Sequence, residues 1–299
     1  MKRRFVTLDV FTSRRFAGNP LAVVLDSGGL EQNAMQTIAG EFNLSETVFV
    51  LPPEKAGHRA RYRIFTPKRE LPFAGHPTVG TAVLLASLDG GKSPSSFILE
   101  CNVGPVPCRV EPSGADTGQA TFDLPALPAE VGPVPPIQTL ATALGLSPDD
   151  IGFGKFVPAC WSAGVPYTFL PLKNLDAVHR AKPVLAQFET ALSAPGHGSV
   201  FVFTAETAEA GSSFHARMFA PPFGIFEDPA TGSAVAAFAG YLTRYAGLKD
   251  GEHRMIIEQG YEMGRPSLID LILTLAGGVL TAASIGGAAV MVSEGTIEA

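Results

Sequence analysis

Two turns of the sequence combine ionisable side chains with small residues, immediately before an apolar helical pattern. FAGHPTVG at residues 73–80 holds His76, and FEDPATGS at residues 226–233 holds Asp228 beside a second carboxylate. An imidazole can act as an acid or a base near neutral pH. A carboxylate at a helix start is expected to stay ionised, which suits it to hold an amine or to orient His76. The alternative is structural: a hydrogen-bonded turn histidine, and an aspartate that interacts with the helix dipole.

The same turns could bind an anion through their backbones. A helix start leaves N–H groups without intrahelical partners and carries partial positive charge, and small residues let a ligand approach. Two such starts, facing each other across a pseudo-twofold axis, would hold a carboxylate or a developing oxyanion. The alternative is ordinary capping by Thr78, Thr231 or Ser233, with a proline fixing the first turn. Each turn alone favours capping, whereas the pair, with an ionisable group in each, favours a ligand site.

Glu46 is the third ionisable candidate. It lies between Leu44 and the apolar strand pattern TVFVL, with Ser45 beside it. A carboxyl group against apolar neighbours tends to have a raised pKa and can shuttle a proton. The alternative is an exposed glutamate at the edge of a strand.

The elements that must position these residues follow from hydrophobic periodicity. Alternating or β-branched segments predict strands, including FVTLDVF, LAVVLD, ARYRIFTP, SVFVFTA and SFHARMFAP. Helices are predicted over residues 31–43, near 179–193, and after each of the two turns. The apolar faces of the last two helices are Val79, Ala82, Val83 and Ala86, and Val235, Phe238, Ala239 and Leu242.

An internal repeat connects the two turns. The pattern RxFxP at residues 63–67 recurs at residues 217–221, and both copies continue into a turn and an Ala-rich helix. A chance match of three residues is the alternative, but the shared order of elements favours two similar α/β halves. The Pro-rich stretch 125–136 is the best linker in the chain.

Composition excludes several classes of partner. The chain has 299 residues, a formal net charge of −6 and no long basic run, which argues against nucleic-acid and anionic-membrane partners. The six histidines and three cysteines follow no metal-ligand spacing, so we expect no metal and no disulfide framework. The low cysteine count and the lack of a secretory signal at the start predict a reducing, cytoplasmic location.

An uncharged segment at residues 271–292 is long enough to span a bilayer. Glycine pairs at 277–278 and 286–287 divide it, which favours short strands between turns over a transmembrane or buried helix.

Several chemistries lack their motifs. The sequence contains no G-x-S-x-G, no P-loop and no G-x-G-x-x-G after a strand. Neither helix-start turn contains cysteine, which disfavours a racemase with two catalytic thiols.

Together these segments resemble the PhzF-type phenazine-biosynthesis family. The resemblance covers essentially the whole chain and is carried by DVFTSRRFAGNPLAVV, LSETVFV, RIFTPKRELPFAGHPTVGTA, EDPATGSA, EQGYEMGRPS and IGGAAVMVSEG. It implies an α+β, diaminopimelate-epimerase-like fold with two pseudo-symmetric halves. Each half is a strand barrel around a central helix, and the active site lies in the cleft between them.

The resemblance also implies site residues and an activity. The family's catalytic glutamate falls on Glu46, its assisting histidine on His76 and its assisting aspartate on Asp228. Residues expected at the substrate are Ser45, Gly75, Pro77, Thr78, Thr231, Gly232 and Ser233. The implied activity is a cofactor-independent isomerase of a small carboxylic acid, similar to trans-2,3-dihydro-3-hydroxyanthranilate isomerase. A non-catalytic small-carboxylate-binding protein on the same fold is the alternative, because one fold hosts several functions.

For domain organisation we expect an N-terminal half over residues 1–125 and a C-terminal half over 126–284. The C-terminal strand, from about 285 to 299, is expected to pack back on the N-terminal half. The last strands are more apolar than the resemblance predicts, and they favour self-association as a homodimer.

Overall fold

The computed structural model describes residues 1–192 and 198–299. The chain divides into two compact units. Unit 1 comprises Met1–Pro125 and Ile285–Ala299, and unit 2 comprises Ala126–Ser284.

Unit 1 is built from strands and two helices. In chain order its elements are β1 (Lys2–Val10), β2 (Asn19–Val24), α1 (Gln32–Phe42), β3 (Glu46–Leu51), β4 (Ala60–Phe65), β5 (Glu70–Leu71), α2 (Gly75–Leu88), β6 (Ser95–Cys101), β7 (Gly104–Pro112), β8 (Thr117–Asp123) and the later part of β17 (Val279–Glu298).

The strands of unit 1 close into a barrel. Strand β1 pairs with β2, β2 runs parallel to β3, β3 pairs with β4, and β4 runs parallel to β6. The hairpins β6–β7 and β7–β8 follow, and β17 then joins β8 back to β1. Over the described residues, these pairings form a closed barrel of eight strands with β5 attached to β4, and closure leaves its strands without a free edge.

Helix α2 runs through the core of unit 1. Residues 75–86 are all buried, although the sequence predicts one apolar face. A helix that is apolar all round is a core helix. Gly80 permits its close approach to the barrel, because a Cβ atom there would lie 2.7 Å from Leu21 Cδ2 and 2.8 Å from Val10 Cγ2. Helix α1 packs against strands β3 and β4 through a separate apolar cluster, in which Met35 and Ala39 contact Phe49 and Phe65.

Unit 2 repeats this plan. Its elements are β9 (Ala129–Glu130), α3 (Ile137–Ala143), β10 (Ala159–Ser162), β11 (Pro166–Pro171), α4 (Leu175–Arg180), α5 (Leu185–Ala191), β12 (Val200–Thr204), β13 (Phe214–Ala220), β14 (Ile225–Asp228), α6 (Gly232–Tyr245), β15 (Gly251–Gln259), β16 (Ser267–Ala276) and the first part of β17.

The strand pairings confirm the internal duplication. In unit 2, β10 pairs with β11, β11 runs parallel to β12, β12 pairs with β13, β13 runs parallel to β15, and β15 pairs with β16. This is the order of β1 to β7 in unit 1, with β14 in the place of β5. Helix α6 packs against β9, β10, β11 and β16, as α2 packs inside unit 1.

The prediction of one helix near residues 179–193 is wrong. Two short helices, α4 and α5, lie here, and Pro183 separates them. Proline removes a backbone donor and disfavours helical geometry in the residue before it, so a helix does not continue through it. Residue 193 lies outside the described residues.

The prediction of a turn at Gly286–Gly287 is also wrong, because β17 runs through both residues. A Cβ atom at Gly286 would lie 2.6 Å from Thr121 Oγ1 and 3.0 Å from the Ala120 carbonyl oxygen. This glycine therefore permits close packing against β8 rather than a change of direction. The other pair, Gly277 and Gly278, does form a turn, with positive φ at both residues.

Residues 271–276 and 279–292 thus belong to strands joined by the Gly277–Gly278 turn, and the helical alternatives for this segment are wrong. None of the helices in residues 1–192 and 198–299 has the length and apolar content needed to cross a bilayer.

Candidate active site

Glu46 and His76 meet inside unit 1. Glu46 is the first residue of β3, opposite Leu21 of β2, and His76 lies in the first turn of α2. Oε2 of Glu46 lies 3.3 Å from Nε2 of His76, and the two side chains are only 13% and 5% exposed. Glu46 is therefore not an exposed residue at a strand edge, and the fold pairs it with an imidazole.

Burial changes the protonation expected of His76. Removal from water disfavours the charged imidazolium and lowers the pKa of His76 to about 3. The titration of this imidazole therefore lies well below neutral pH. At pH 7 His76 is neutral, and it can hydrogen-bond to a carboxylate without carrying a positive charge.

The backbone N–H groups in the first turn of α2 are not capped by a described side chain. The N-cap residue of this helix is Ala74. Capping by Thr78 is wrong, because its hydroxyl donates to the Ala74 carbonyl oxygen at 2.8 Å and contacts the Tyr62 hydroxyl at 2.7 Å. Pro77 has no N–H group to satisfy.

Tyr62 supports this turn and was not found by sequence reasoning. Burial raises the pKa of Tyr62 well above its usual value, so the phenol stays protonated beside Thr78. The alternating pattern of β4 predicts that this residue faces the core, but nothing in the sequence connects it to the turn at residues 73–80.

Unit 2 builds a corresponding turn around Asp228. This residue ends β14, and its Oδ2 accepts a hydrogen bond from the Thr231 hydroxyl at 2.6 Å. Helix α6 begins at Gly232, and no side chain among the described residues caps it. Ser233 instead contacts the Tyr167 hydroxyl at 2.7 Å. Capping by Thr231 or Ser233 is therefore also wrong.

A buried glutamine holds the Asp228 turn in place. Nε2 of Gln259 donates to the Asp228 carbonyl oxygen at 2.7 Å and to the Thr231 hydroxyl at 3.0 Å. Its Oε1 accepts from the Thr231 N–H at 3.1 Å. The hydroxyl of Ser267 donates to the Pro229 carbonyl oxygen at 3.0 Å. Sequence reasoning missed Gln259, although EQG was one of the segments that carried the family resemblance.

The repeated RxFxP pattern has a structural explanation. Arg217 forms two hydrogen bonds to Glu227, at 2.8 and 2.9 Å, and Arg63 forms two to Glu70, at 2.7 and 2.6 Å. Each guanidinium also lies over the phenylalanine two residues later, with its Cζ 4.8 Å (Arg217) or 5.1 Å (Arg63) from the ring centroid. In each unit the pattern thus fixes the short strand that leads into the central helix. Glu227 has this structural role, unlike its neighbour Asp228.

The predicted site residues therefore form one cluster in each unit. Ser45, Glu46 and the first turn of α2 lie in unit 1, and Asp228 with the first turn of α6 lies in unit 2. In unit 1 a carboxylate faces a neutral imidazole beside an uncapped helix start. A carboxylate in this setting can move a proton, and the adjacent helix start can stabilise the negative charge that the transfer creates.

The two barrels, each around a central helix, define an epimerase-like α+β fold. The sequence model of the phenazine biosynthesis-like protein family PhzC-PhzF matches residues 8–295, and the chain belongs to this family. The protein is an isomerase.

Three similar proteins illustrate the relationship. An uncharacterized isomerase of Mesorhizobium japonicum is 49% identical over 99% of this chain and 98% of its own. The trans-2,3-dihydro-3-hydroxyanthranilate isomerase of Pseudomonas chlororaphis is 35% identical over 98% of both chains. The crystal structure of a PhzF-family phenazine biosynthesis protein from Bacillus anthracis covers 100% of both chains, with a TM-score of 0.89 and 28% identity. The expected epimerase-like fold is confirmed.

Proposed function

We propose that this isomerase moves a proton within a small cyclic or unsaturated carboxylic acid, without a cofactor, and that Glu46 carries the proton. The observation that carries the proposal is the 3.3 Å contact between Glu46 and a neutral, buried His76. With a pKa of about 3, His76 has no imidazolium proton to give at pH 7, which leaves Glu46 as the proton carrier of the pair.

The reaction has two proton transfers. The carboxylate of Glu46 removes a proton from an acidic carbon of the substrate, and the electron pair of the broken C–H bond delocalises over the unsaturated acid. Glu46, now a carboxylic acid, then returns the proton to a different carbon of the substrate. The product is therefore an isomer of the substrate, and the enzyme is unchanged. General acid–base catalysis of this kind contributes roughly 10² to 10⁴-fold to the rate.

We assign substrate binding to the two helix starts. Backbone N–H groups at an uncapped helix N-terminus favour a carboxylate or a delocalised anion. The residues proposed for this role are Ser45, Gly75, Pro77, Thr78, Thr231, Gly232 and Ser233. Asp228 is proposed to hold an amino group of the substrate, as a carboxylate fixed by Thr231 can.

The substrate class is proposed from similarity. Relatives that cover 98% of this chain are named trans-2,3-dihydro-3-hydroxyanthranilate isomerase, and that molecule is both a cyclic and an unsaturated acid. It is therefore the first compound to test.

The test follows deuterium from solvent into trans-2,3-dihydro-3-hydroxyanthranilate and related cyclic acids. The wild-type protein should convert a true substrate, and deuterium should appear at the carbon that accepts the proton whenever protonated Glu46 exchanges with solvent before it returns the proton. Glu46→Gln, which keeps the shape of the side chain but cannot take a proton, should lower turnover at least 100-fold while ligand-induced thermal stabilisation persists.

The matched control is Glu41→Gln, on the exposed face of α1. It should leave turnover unchanged. Equal turnover by wild type and Glu46→Gln would exclude the proposed role. Ligands that bind but are never converted would instead favour a binding protein.

A further inference from the structure

We propose that His179, His215 and Glu262 form a binding site for one divalent ion of the zinc type. These residues lie in unit 2, outside the set assigned to isomerisation, and the proposal does not depend on the substrate. No spacing pattern could reveal this group, because its members come from α4, β13 and the turn after β15.

Three donor atoms converge on one point. Nε2 of His215 lies 2.9 Å from Oε1 of Glu262, and Nε2 of His179 lies 3.1 Å from the same oxygen. All three donor atoms lie within 4.8 Å of one another. Bonds of about 2.0–2.1 Å to a tetrahedral zinc ion place donors about 3.3 Å apart, so small shifts would admit the ion.

His215 is already held in the orientation that a ligand requires. Its Nδ1 lies 2.7 Å from Oε1 of Glu258, and that carboxylate also accepts backbone N–H groups from Ala208 and Glu209. A histidine ligand typically donates its other ring N–H to a carboxylate, which fixes the tautomer and leaves the second nitrogen for the metal. Glu258 supplies that support, and Nε2 of His215 faces Glu262.

His179 is positioned by backbone contacts at the end of α4. Nη1 of Arg217 donates to the carbonyl oxygens of Val178, His179 and Ala181, at 2.9, 3.1 and 2.8 Å. The His179 side chain is 54% exposed, so an ion can reach the group from solvent.

The carboxylates of Glu227, Glu258 and Glu262 lie at this group, and Arg217 offsets the charge of one of them, so a cation is favoured here. Arg217 is paired with Glu227 through two hydrogen bonds, and its Nε lies 3.9 Å from Oε2 of Glu262. Oε2 of Glu262 is buried and makes no hydrogen bond to any described residue. A divalent ion would replace the proton that must otherwise lie between Nε2 of His215 and Glu262, and that proton would pass to solvent.

The donor set selects the kind of ion. Two imidazoles and one carboxylate suit zinc and neighbouring transition metals, whereas magnesium and calcium prefer oxygen donors. A bound ion would connect α4 to the turn after β15, which adjoins Gln259 and hence the Asp228 turn. We therefore expect the ion to stabilise unit 2.

Zinc titration of the chelator-treated, full-length protein tests the proposal. Isothermal titration calorimetry should give one ion per chain, and zinc should raise the melting temperature. Cobalt, used as a spectroscopic probe, should give the visible absorption of a four-coordinate site with nitrogen and oxygen ligands. His179→Ala and Glu262→Gln should each weaken binding at least 10-fold and remove the melting shift.

His179→Ala is the decisive variant, because this side chain is largely exposed and its loss does not disturb the core. His253→Ala removes a histidine of β15 whose Nε2 lies 2.7 Å from the Lys249 carbonyl oxygen, away from the proposed ligands, and it should leave zinc binding unchanged. The absence of stoichiometric binding, or equal affinity in wild type and His179→Ala, would overturn the proposal.

Discussion

His76 places its imidazole in the first turn of α2, where it is almost fully removed from water. The physical consequence is a base that stays neutral over the whole physiological pH range, because burial lowers its pKa to about 3. Folding therefore favours the unprotonated imidazole, and the stability of the protein must depend on pH through this residue.

Protonation of His76 should destabilise the fold in acid. In the unfolded chain this residue has a pKa near 6.5, so between pH 6.5 and about 3 the unfolded state binds more protons. The contribution is fully present above pH 6.5 and is lost as the pH falls toward 3. Wild type should lose up to about 1.4 kcal/mol of unfolding free energy per pH unit in this window, beyond the loss shown by His76→Asn.

Urea unfolding at several pH values from 4 to 8 measures this difference. His253→Asn, at a partly exposed histidine, should retain the pH dependence of wild type. Identical slopes for wild type and His76→Asn would show that His76 is not held neutral by burial.

At the scale of elements, each central helix uses a glycine to approach its surrounding strands. Gly80 of α2 faces Leu21 and Val10, and Gly240 of α6 faces Trp161, whose Cε3 would lie 2.5 Å from an added Cβ atom. Helix propensity favours alanine over glycine by about 1 kcal/mol, so the choice of glycine here reflects packing.

Gly80→Ala and Gly240→Ala should therefore destabilise the protein. The added methyl group overpacks the core, at a typical cost of about 1–3 kcal/mol that exceeds the gain in helix propensity. The matched control is Gly40→Ala in α1, where the nearest atom to a new Cβ would be the Pro67 carbonyl oxygen at 3.8 Å. That exposed substitution should stabilise by about 0.5–1 kcal/mol.

Urea denaturation curves give all three free energies. A stabilising effect of alanine at residue 80 or 240 would mean that the neighbouring side chains move aside at no cost, and the close packing of the central helices would then be unimportant.

The elements were more predictable than their interactions. Strand alternation and the RxFxP repeat are local patterns, and they correctly predicted two similar halves, each with a central helix. The hydrogen bonds of Tyr62, Gln259 and Tyr167 join residues far apart in the chain, and no local pattern encodes them. The turn prediction at Gly286 was wrong for the same reason. The residues that require a glycine there, Ala120 and Thr121, are on β8, far away in the sequence.

The site was predictable to a similar extent. Glu46 and His76 were named because of their residue types, and the structure brings them into contact. The neutral state of His76 depends on burial by α2 and the barrel, which the sequence does not show. The roles of Asp228 and the substrate-binding residues, and the homodimer, stay predictions.

At the scale of the whole molecule, β17 is the element that belongs to both units. Residues 279–284 are in unit 2, and the residues from Ile285 onward close the barrel of unit 1 by pairing with β1 and β8. Unit 1 is therefore discontinuous in sequence, whereas unit 2 is one continuous segment.

A chain that ends at Ser284 should lack a folded unit 1. Without residues 285–299, the part of β17 that pairs with unit 1, the barrel is open and one edge each of β1 and β8 is unpaired. Hydrogen exchange measured by mass spectrometry should show strong loss of protection over residues 1–125 and a smaller loss over 126–284.

A chain that ends at Gly295 is the control. It loses the partners of Lys2, Arg3 and Arg4 and the backbone contact of Ala299 with Met1, whereas the pairing of β1 from Phe5 onward is kept, so the barrel should stay closed. Full protection of residues 1–125 in the chain that ends at Ser284 would show that unit 1 folds without its last strand.

The position of β17 also sets an order of events during synthesis. The ribosome makes residues 1–125 before unit 2, yet their barrel has to wait for residues 285–299, which are translated after the whole of unit 2. Unit 2 is translated later but has its own strands, up to Ser284, before that closing strand is made. Unit 1 is thus translated before unit 2 but is completed after it. During elongation the unpaired strand edges of unit 1 are exposed, and exposed strand edges are prone to aggregate.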